Sequence, residues 1–129
     1  MALVTVAVGI LIDDAGRVLV TRRAPGAHQG GLWEFPGGKV EAEETLLEAL
    51  ARELREELGV RVESTEPLMV LEHDYGDTQV RLVVLRVSRW LGEPRGLEGL
   101  PLAWQRPGQL RVWAFPAANQ PILERLLAG

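Results

Sequence analysis

Residues 45–58 constrain the fold most strongly, because they predict a helix with two distinct faces. The segment contains neither glycine nor proline and consists mainly of Leu, Ala, Arg and Glu, which favour helix. At about 100° per residue, the leucines share one face and the glutamates share a second: Leu47, Leu50, Leu54 and Leu58 against Glu53, Glu56 and Glu57. Gly59 follows at the position of a left-handed C-terminal cap. The sequence therefore predicts an amphipathic helix with a packing face and an acidic face.

The three glutamates on one face need an explanation, because like charges at this spacing destabilise a helix. Hard divalent cations such as Mg²⁺ bind oxygen ligands and commonly take one or two carboxylates together with substrate phosphates. A metal site is therefore one interpretation. The other is a solvated acidic face on which Arg52 and Arg55 are neutralising partners.

The wider segment fits a known pattern at every fixed position. The order is Gly38, five residues, Glu44, seven residues, Arg52-Glu53-Leu54, one residue, Glu56-Glu57, one residue, Gly59-Val60. This is the Nudix box, and the chain resembles Nudix hydrolases, which use divalent cations to cleave nucleoside diphosphates linked to another group. The resemblance favours the metal site over the solvated face. It implies an α/β/α sandwich with a mixed β-sheet, formed by one domain over residues 1–129.

The resemblance also implies catalytic roles, since pyrophosphate hydrolysis needs charge neutralisation and an oriented water. The implied metal ligands are the carboxylates of Glu53, Glu56 and Glu57 and the backbone carbonyl of Gly37. Mg²⁺ is the expected ion, with Mn²⁺ as a substitute. Glu53 is the first choice for the general base.

Supporting roles fall to other residues of the same segment. Gly37 and Gly38 are expected in a tight loop, where a missing Cβ lets the backbone approach substrate or ion. Arg52 is expected to brace the carboxylates through a bidentate pair. Glu44 is expected about two turns earlier on the helix, where interaction with the helix dipole is an alternative to a role in the site.

Segments outside the box are similar to the MutT-type branch of the family, which hydrolyses 8-oxo-dGTP to the monophosphate and pyrophosphate and so prevents mutagenic incorporation. These segments are TRRA at 21–24, His28, LWEFPGGK at 32–39, Trp90 with GEP at 92–94, and FPAANQPI at 115–122. The resemblance implies that Arg23 binds phosphate, that His28, Glu34 and Phe35 line the nucleotide site, and that Asn119 reads the base. A core position is the alternative for Phe35.

Glu98 lies in a glycine-rich segment, residues 95–99. A lone loop glutamate is ordinarily a solvated charge. In the MutT-type branch, however, a glutamate in this loop contributes to metal binding or to activating water. Glu98 is therefore a candidate metal ligand and catalytic residue, and the second choice for the general base.

The role of Asn119 can also be argued from chemistry. Its amide offers an acceptor and donors, whereas guanine presents acceptors at both O6 and N7. 8-Oxoguanine carries a hydrogen on N7 and so presents an acceptor and a donor, which one amide can bind at both atoms. Asn is also a favoured N-cap, so capping the final helix is the alternative, and both roles can hold together.

The remaining patterns predict strands around the helix, and so an α/β or α+β layered domain. Leu3–Ile12 and Arg17–Thr21 are expected to form a hairpin around residues 13–16. Further strands are expected at Trp33–Phe35, Pro67–Tyr75 and Thr78–Trp90, with short pieces at 103–104 and 111–113, and a closing helix at Ala118–Leu127.

Composition excludes several classes of protein. The formal net charge of −4 argues against broad binding to duplex nucleic acid, which demands basic surface. The absence of cysteine excludes a disulfide framework and thiolate chemistry. No apolar run approaches the length of a membrane span. We expect a cytoplasmic monomer that acts on a small nucleotide, with neither a nucleic-acid polymer nor a membrane as partner.

Two other functions remain open. A related pyrophosphohydrolase acting on CTP or modified dCTP can share the WEFPGGK segment, and Thr78 after Asp77 departs from the basic residue that the MutT-type branch can carry there. The second alternative is a non-enzymatic module that reads damaged guanine in DNA. Such modules typically lack an intact box and need a basic surface, so this alternative fits the chain poorly.

Overall fold

Two β-sheets and two α-helices make up most of the computed structural model, which describes residues 2–26 and 30–129. The strands are β1 (Ala2–Ile10), β2 (Val18–Arg22), β3 (Trp33–Glu34), β4 (Gly37–Lys39), β5 (Arg61–Asp74), β6 (Thr78–Leu91) and β7 (Leu102–Gln105). The helices are α1 (Leu46–Leu58) and α2 (Gln120–Leu127), with 3₁₀ turns at Pro107–Val112 and Ala117–Asn119.

The larger sheet is mixed. Its strand order is β4-β1-β6-β5, in which β1 and β6 run parallel and the other neighbours run antiparallel. The smaller sheet has the order β3-β2-β7 and is antiparallel.

Side chains of β1 point alternately into two hydrophobic cores, because successive residues of a strand face opposite sides of a sheet. Val8 and Ile10 pack in the core that contains Ile122 of α2. Ala7, and Leu11 directly after the strand, pack in the core that contains Leu50, Leu54 and Leu58 of α1. Leu47, which the sequence places on the same packing face, is exposed instead. The helices therefore cover opposite faces, and the predicted α/β/α sandwich with a mixed sheet is confirmed.

Helix α1 is capped at both ends by residues next to it in the sequence. The Thr45 hydroxyl accepts a hydrogen bond from the Glu48 amide at 3.1 Å, and the Glu48 carboxylate accepts one from the Thr45 amide at 2.8 Å. This reciprocal pair is a capping box. Gly59 ends the helix with a left-handed φ of 72°. The predicted helix and its glycine cap are confirmed.

The predicted hairpin of the first two strands is wrong, although its turn exists. Asp13 Oδ1 accepts hydrogen bonds from the amides of Ala15 and Arg17, and a single bridge joins Ile12 to Val18. Beyond that bridge the strands enter different sheets. Both edges of β1 are occupied by β4 and β6, so β2 pairs with β3 and β7 instead.

Other boundaries also differ from the predictions. Gly37 and Gly38 belong to β4 rather than to a loop. Strand β5 begins at Arg61 and continues through Pro67, which is tolerated because β5 is an edge strand with a register irregularity at that point. The short strand expected at 111–113 is wrong, since a 3₁₀ helix starts at Pro107 and runs to Val112.

Candidate active site

Strand β4 brings the backbone of Gly38 against the carboxylate of Glu53 on α1. A Cβ at position 38 would lie 2.3 Å from Glu53 Cδ and within 2.6 Å of both carboxylate oxygens. Gly38 does not adopt a left-handed φ, so its lack of a side chain matters here for space rather than for backbone conformation. Position 38 must therefore lack a side chain for Glu53 to keep this place.

Arg52 connects the strand, the helix and the segment before the helix. Its guanidinium binds Glu44 through two hydrogen bonds, Nε to Oε2 at 2.7 Å and Nη2 to Oε1 at 3.0 Å. Nη1 donates to Glu53 Oε1 at 2.8 Å, and Nη2 donates to the Lys39 carbonyl at 3.1 Å. The bidentate pair is thus made with Glu44, while Glu53 receives one hydrogen bond.

Glu44 precedes the helix and is not on it, because Thr45 is the N-cap. Its carboxylate also accepts a hydrogen bond from the Glu41 amide at 2.9 Å. The hydrogen bonds from Arg52, followed by that backbone contact, lower the pKa of Glu44 to about 2. Glu44 therefore holds Arg52, and the expected position two turns earlier on the helix is wrong because the capping box starts the helix at Thr45.

Glu57 is the most perturbed carboxyl of the site. Burial, hydrogen bonding with Glu53 and the charges of Glu53, Glu34 and Glu98 raise its pKa well above the ordinary value. Within the described part of the chain, its Oε2 atom is buried and has no hydrogen-bond partner. A buried polar atom without a partner costs free energy, so this oxygen suits a ligand that supplies positive charge.

The carboxylate oxygens of this region are the kind of ligand that a hard divalent cation binds, but they are not yet close enough together to coordinate one. Residues 2–26 and 30–129 contain no group of three His, Cys, Asp or Glu side chains already arranged to hold a metal ion. Glu56 is half exposed and lies 3.6 Å from Arg52 Nη1. The orphaned Glu57 oxygen and the all-oxygen chemistry nevertheless match what Mg²⁺ requires.

Glu98 lies in the segment between β6 and β7 and is exposed. Together with Glu57 it lines a small cavity, whose other walls are Thr21, Gly96 and Leu100. The structure thus brings Glu98 to Glu57, although the two residues are far apart in sequence. Thr21 was missed by sequence reasoning, because a threonine in an apolar strand carries no signal of its own; only the similarity of the TRRA segment pointed near it.

Arg23 and Glu34 form an ion pair, and the charge of Glu34 contributes to raising the pKa of Glu57. Arg23 Nη1 lies 2.5 Å from Glu34 Oε2, and the backbones of Thr21 and Glu34 are paired in the smaller sheet. Burial raises the pKa of Glu34, against the opposing charge of Arg23. His28, the third residue expected in this region, lies outside the described residues.

Phe35 has a core position. It is 4% exposed and packs against Phe115 with ring centroids 5.4 Å apart. The expectation that Phe35 lines the pocket is therefore not met in this structure, because almost no surface of the ring is available to a base.

Asn119 occupies the N-cap position of α2, but its side chain makes no capping hydrogen bond. Asn119 as a residue is partly exposed. The capping alternative therefore does not engage the amide, which leaves the base-reading prediction open. Among the described helices, none is long and apolar enough to cross a membrane.

Comparisons with known proteins identify the family and match the fold. The NUDIX domain family matches residues 7–125. The chain is 40% identical to an 8-oxo-dGTP diphosphatase of Escherichia coli K12, over 94% of both chains. It is 33% identical to a CTP pyrophosphohydrolase of the same organism, over 94% of this chain and 90% of that protein. A solved structure from work on MutT of Aliivibrio salmonicida and Vibrio cholerae superposes with a TM-score of 0.87 at 32% identity, covering 98% of both chains. The chain belongs to the NUDIX domain family.

Proposed function

We propose that the protein hydrolyses 8-oxo-dGTP to 8-oxo-dGMP and pyrophosphate in a reaction that depends on a divalent cation. The observation that carries the reaction class is the buried Glu57 oxygen without a partner, on a carboxyl whose pKa is raised by burial and by the nearby Glu53 and Glu98. The substrate is proposed from the relative named 8-oxo-dGTP diphosphatase, which matches nearly the whole chain.

The chemistry needs a water that loses its proton as it attacks phosphorus. Glu53 is proposed for this role, because its carboxylate can accept a proton and is oriented by the hydrogen bond that Arg52 donates to its Oε1 at 2.8 Å. Attack at the β-phosphorus breaks the bond to the oxygen that bridges it to the α-phosphorus. That oxygen leaves on the monophosphate, and the water oxygen remains in pyrophosphate.

Mg²⁺ is the proposed ion, with Glu53, Glu56, Glu57, Glu98 and the Gly37 carbonyl as the residues that would hold it. When bound, the ion neutralises phosphate charge. Deprotonation of Glu57 is required for this role, because metal ligands bind in their charged form. The positive charge would then offset the burial that raises the pKa of Glu57.

Base choice is proposed to rest on Asn119. Its amide oxygen accepts the N7 hydrogen of 8-oxoguanine while its NH₂ donates to O6. With ordinary guanine the amide oxygen faces a second acceptor, and a buried unpaired group costs about 1–3 kcal/mol. The Asn119 side chain makes no capping hydrogen bond at the start of α2, which supports this role. A net charge of −4 supports action on free nucleotides rather than on a nucleic-acid polymer. We propose that the protein acts as a monomer.

A pyrophosphohydrolase acting on CTP is the second candidate. It is supported by the relative of that name at 33% identity and by Thr78, which follows Asp77 at the turn between β5 and β6. Thr78 offers no positive charge to a purine pocket.

Hydrolysis in ¹⁸O-labelled water tests the proposed reaction. Wild-type protein with Mg²⁺ and 8-oxo-dGTP should release pyrophosphate that carries the label, and excess chelator should stop the reaction. Label in 8-oxo-dGMP would place the attack at the α-phosphorus. Release of inorganic phosphate as the first product, or full activity in chelator, would contradict the proposal.

A further inference from the structure

The loop that carries Glu98 is attached to the last turn of α1. The Arg95 amide donates to the Leu58 carbonyl at 2.9 Å, and the Leu97 amide donates to the Glu57 carbonyl at 3.0 Å. The last carbonyls of an α-helix have no partner within the helix, so these amides satisfy groups that would otherwise need water. The position of the loop is therefore set relative to Glu57 itself.

The side chain of Leu97 rests on Gly59, the residue that ends α1. A Cβ at position 59 would lie 3.0 Å from Leu97 Cδ1 and 3.6 Å from its Cγ. Gly59 thus has two roles. It caps α1 with a left-handed φ of 72°, and its lack of a side chain leaves room for Leu97 to pack against it. Leu97 is 51% exposed, so about half of its surface is covered.

The rest of the loop leaves little freedom between its anchors. A Cβ at Gly96 would lie 2.5 Å from the Leu100 carbonyl oxygen. The Gly99 amide donates to the Gly96 carbonyl at 3.1 Å and closes a turn that contains Leu97 and Glu98. Glu98 thus lies inside a closed turn, directly after Leu97.

We propose that Leu97 is a positioning residue, whose contact with Gly59 keeps the loop amides on the Glu57 and Leu58 carbonyls and so holds Glu98 beside Glu57. This inference rests on the proposed function for its catalytic consequence, but the anchoring itself is independent of substrate. Without the contact, the loop opens more often and Glu98 spends less time at the acidic cluster.

Replacing Leu97 by alanine tests the anchor directly. Hydrogen exchange at the Arg95 and Leu97 amides and tryptic cleavage of the Arg95–Gly96 bond both follow the open population when opening is fast. Both should become about fivefold faster, which corresponds to roughly 1 kcal/mol. Leu97→Met should restore both rates. Leu47→Ala is the matched control, because Leu47 is similarly exposed at 55% but lies in the first turn of α1.

Turnover then tests the positioning role. In Leu97→Ala, kcat should fall with little change in KM, and the Mg²⁺ concentration for half-maximal rate should rise. The loss of kcat should be smaller than fivefold, because kcat follows the closed population whereas exchange follows the open one. Unchanged exchange and cleavage within about twofold would overturn the anchor. A loosened loop with unchanged kcat would overturn the positioning role. A wrong substrate assignment is distinguishable from both, since wild-type turnover would be absent while the exchange difference persisted.

Discussion

Replacing Gly38 by alanine should remove activity while the fold survives. The new Cβ would lie 2.3 Å from Glu53 Cδ, and ordinary contact begins near 3.4 Å, so the carboxylate must move by about 1 Å. A misplacement of that size can cost about 100-fold in rate, or about 2.7 kcal/mol of transition-state stabilisation. The movement also breaks the 2.8 Å hydrogen bond between Arg52 and Glu53.

The stability of this variant should stay within about 1 kcal/mol of wild type. The clashing atoms belong to the end of a flexible side chain, and Gly38 has no left-handed φ that alanine would resist. Gly37→Ala provides the contrast, because its Cβ would lie 2.0 Å from the Ala7 carbonyl oxygen at a φ of 150°. The backbones of β4 at Gly37 and of β1 at Ala7 are both held in the sheet and cannot move apart easily. Gly37→Ala should therefore cost roughly 2–4 kcal/mol of folding free energy.

The assay compares kcat for pyrophosphate release with the thermal midpoint for each variant. Gly108→Ala is the neutral control, since nothing lies within 4 Å of its Cβ position. The reasoning is refuted if Gly38→Ala keeps kcat within about threefold of wild type, a loss of less than about 0.7 kcal/mol. It is also refuted if Gly38→Ala unfolds as readily as Gly37→Ala.

Three further substitutions test individual carboxylates and the amide. Glu53→Gln should lower kcat by more than tenfold with the fold intact, since an amide cannot accept the proton; a smaller loss in steady-state assays would transfer the base role to Glu98. Asn119→Ala should lose about 1–3 kcal/mol of preference for 8-oxo-dGTP over dGTP, measured as kcat/KM ratios; equal slowing of both would exclude base reading. In chelator, Glu57 is ionised more easily in the unfolded protein than in the folded one, because folding raises its pKa. The free energy of unfolding of wild type, relative to Glu57→Gln, should therefore be highest below about pH 4.5. It should fall as the pH rises toward the raised pKa, by at most about 1.4 kcal/mol per pH unit. Urea denaturation at several pH values measures this, and a constant difference would contradict it.

Local signals made helix α1 predictable from sequence. Its leucine spacing, the absence of helix breakers and the glycine at its end are all short-range features. The capping box of Thr45 and Glu48 is equally local. The acidic face also followed from the spacing of Glu53, Glu56 and Glu57, because helical periodicity alone places them together.

Features that depend on tertiary pairing could not be predicted in the same way. The separation of β1 and β2 into two sheets depends on β4 and β6, which occupy the edges of β1 from distant parts of the chain. The proximity of Glu98 to Glu57 depends on loop amides that reach the end of α1. The raised pKa of Glu57 depends on burial, which no sequence pattern reveals.

Phe35 shows a different limit. An aromatic residue in a short strand beside a proposed pocket is compatible with either a core or a pocket position, and sequence does not decide between them. The structure places its ring against Phe115. A strand of two residues, Trp33–Glu34, is too short for alternation to indicate which face is buried.

Steady-state kcat/KM values for 8-oxo-dGTP, dGTP and CTP, measured with Mg²⁺ and with identification of products, test the central claim most directly. 8-Oxo-dGTP should have the highest value and yield 8-oxo-dGMP and pyrophosphate. Its preference over dGTP should be at least about fivefold, equivalent to roughly 1 kcal/mol from the Asn119 amide. A higher value for CTP, or equal values for oxidised and ordinary dGTP, would contradict it.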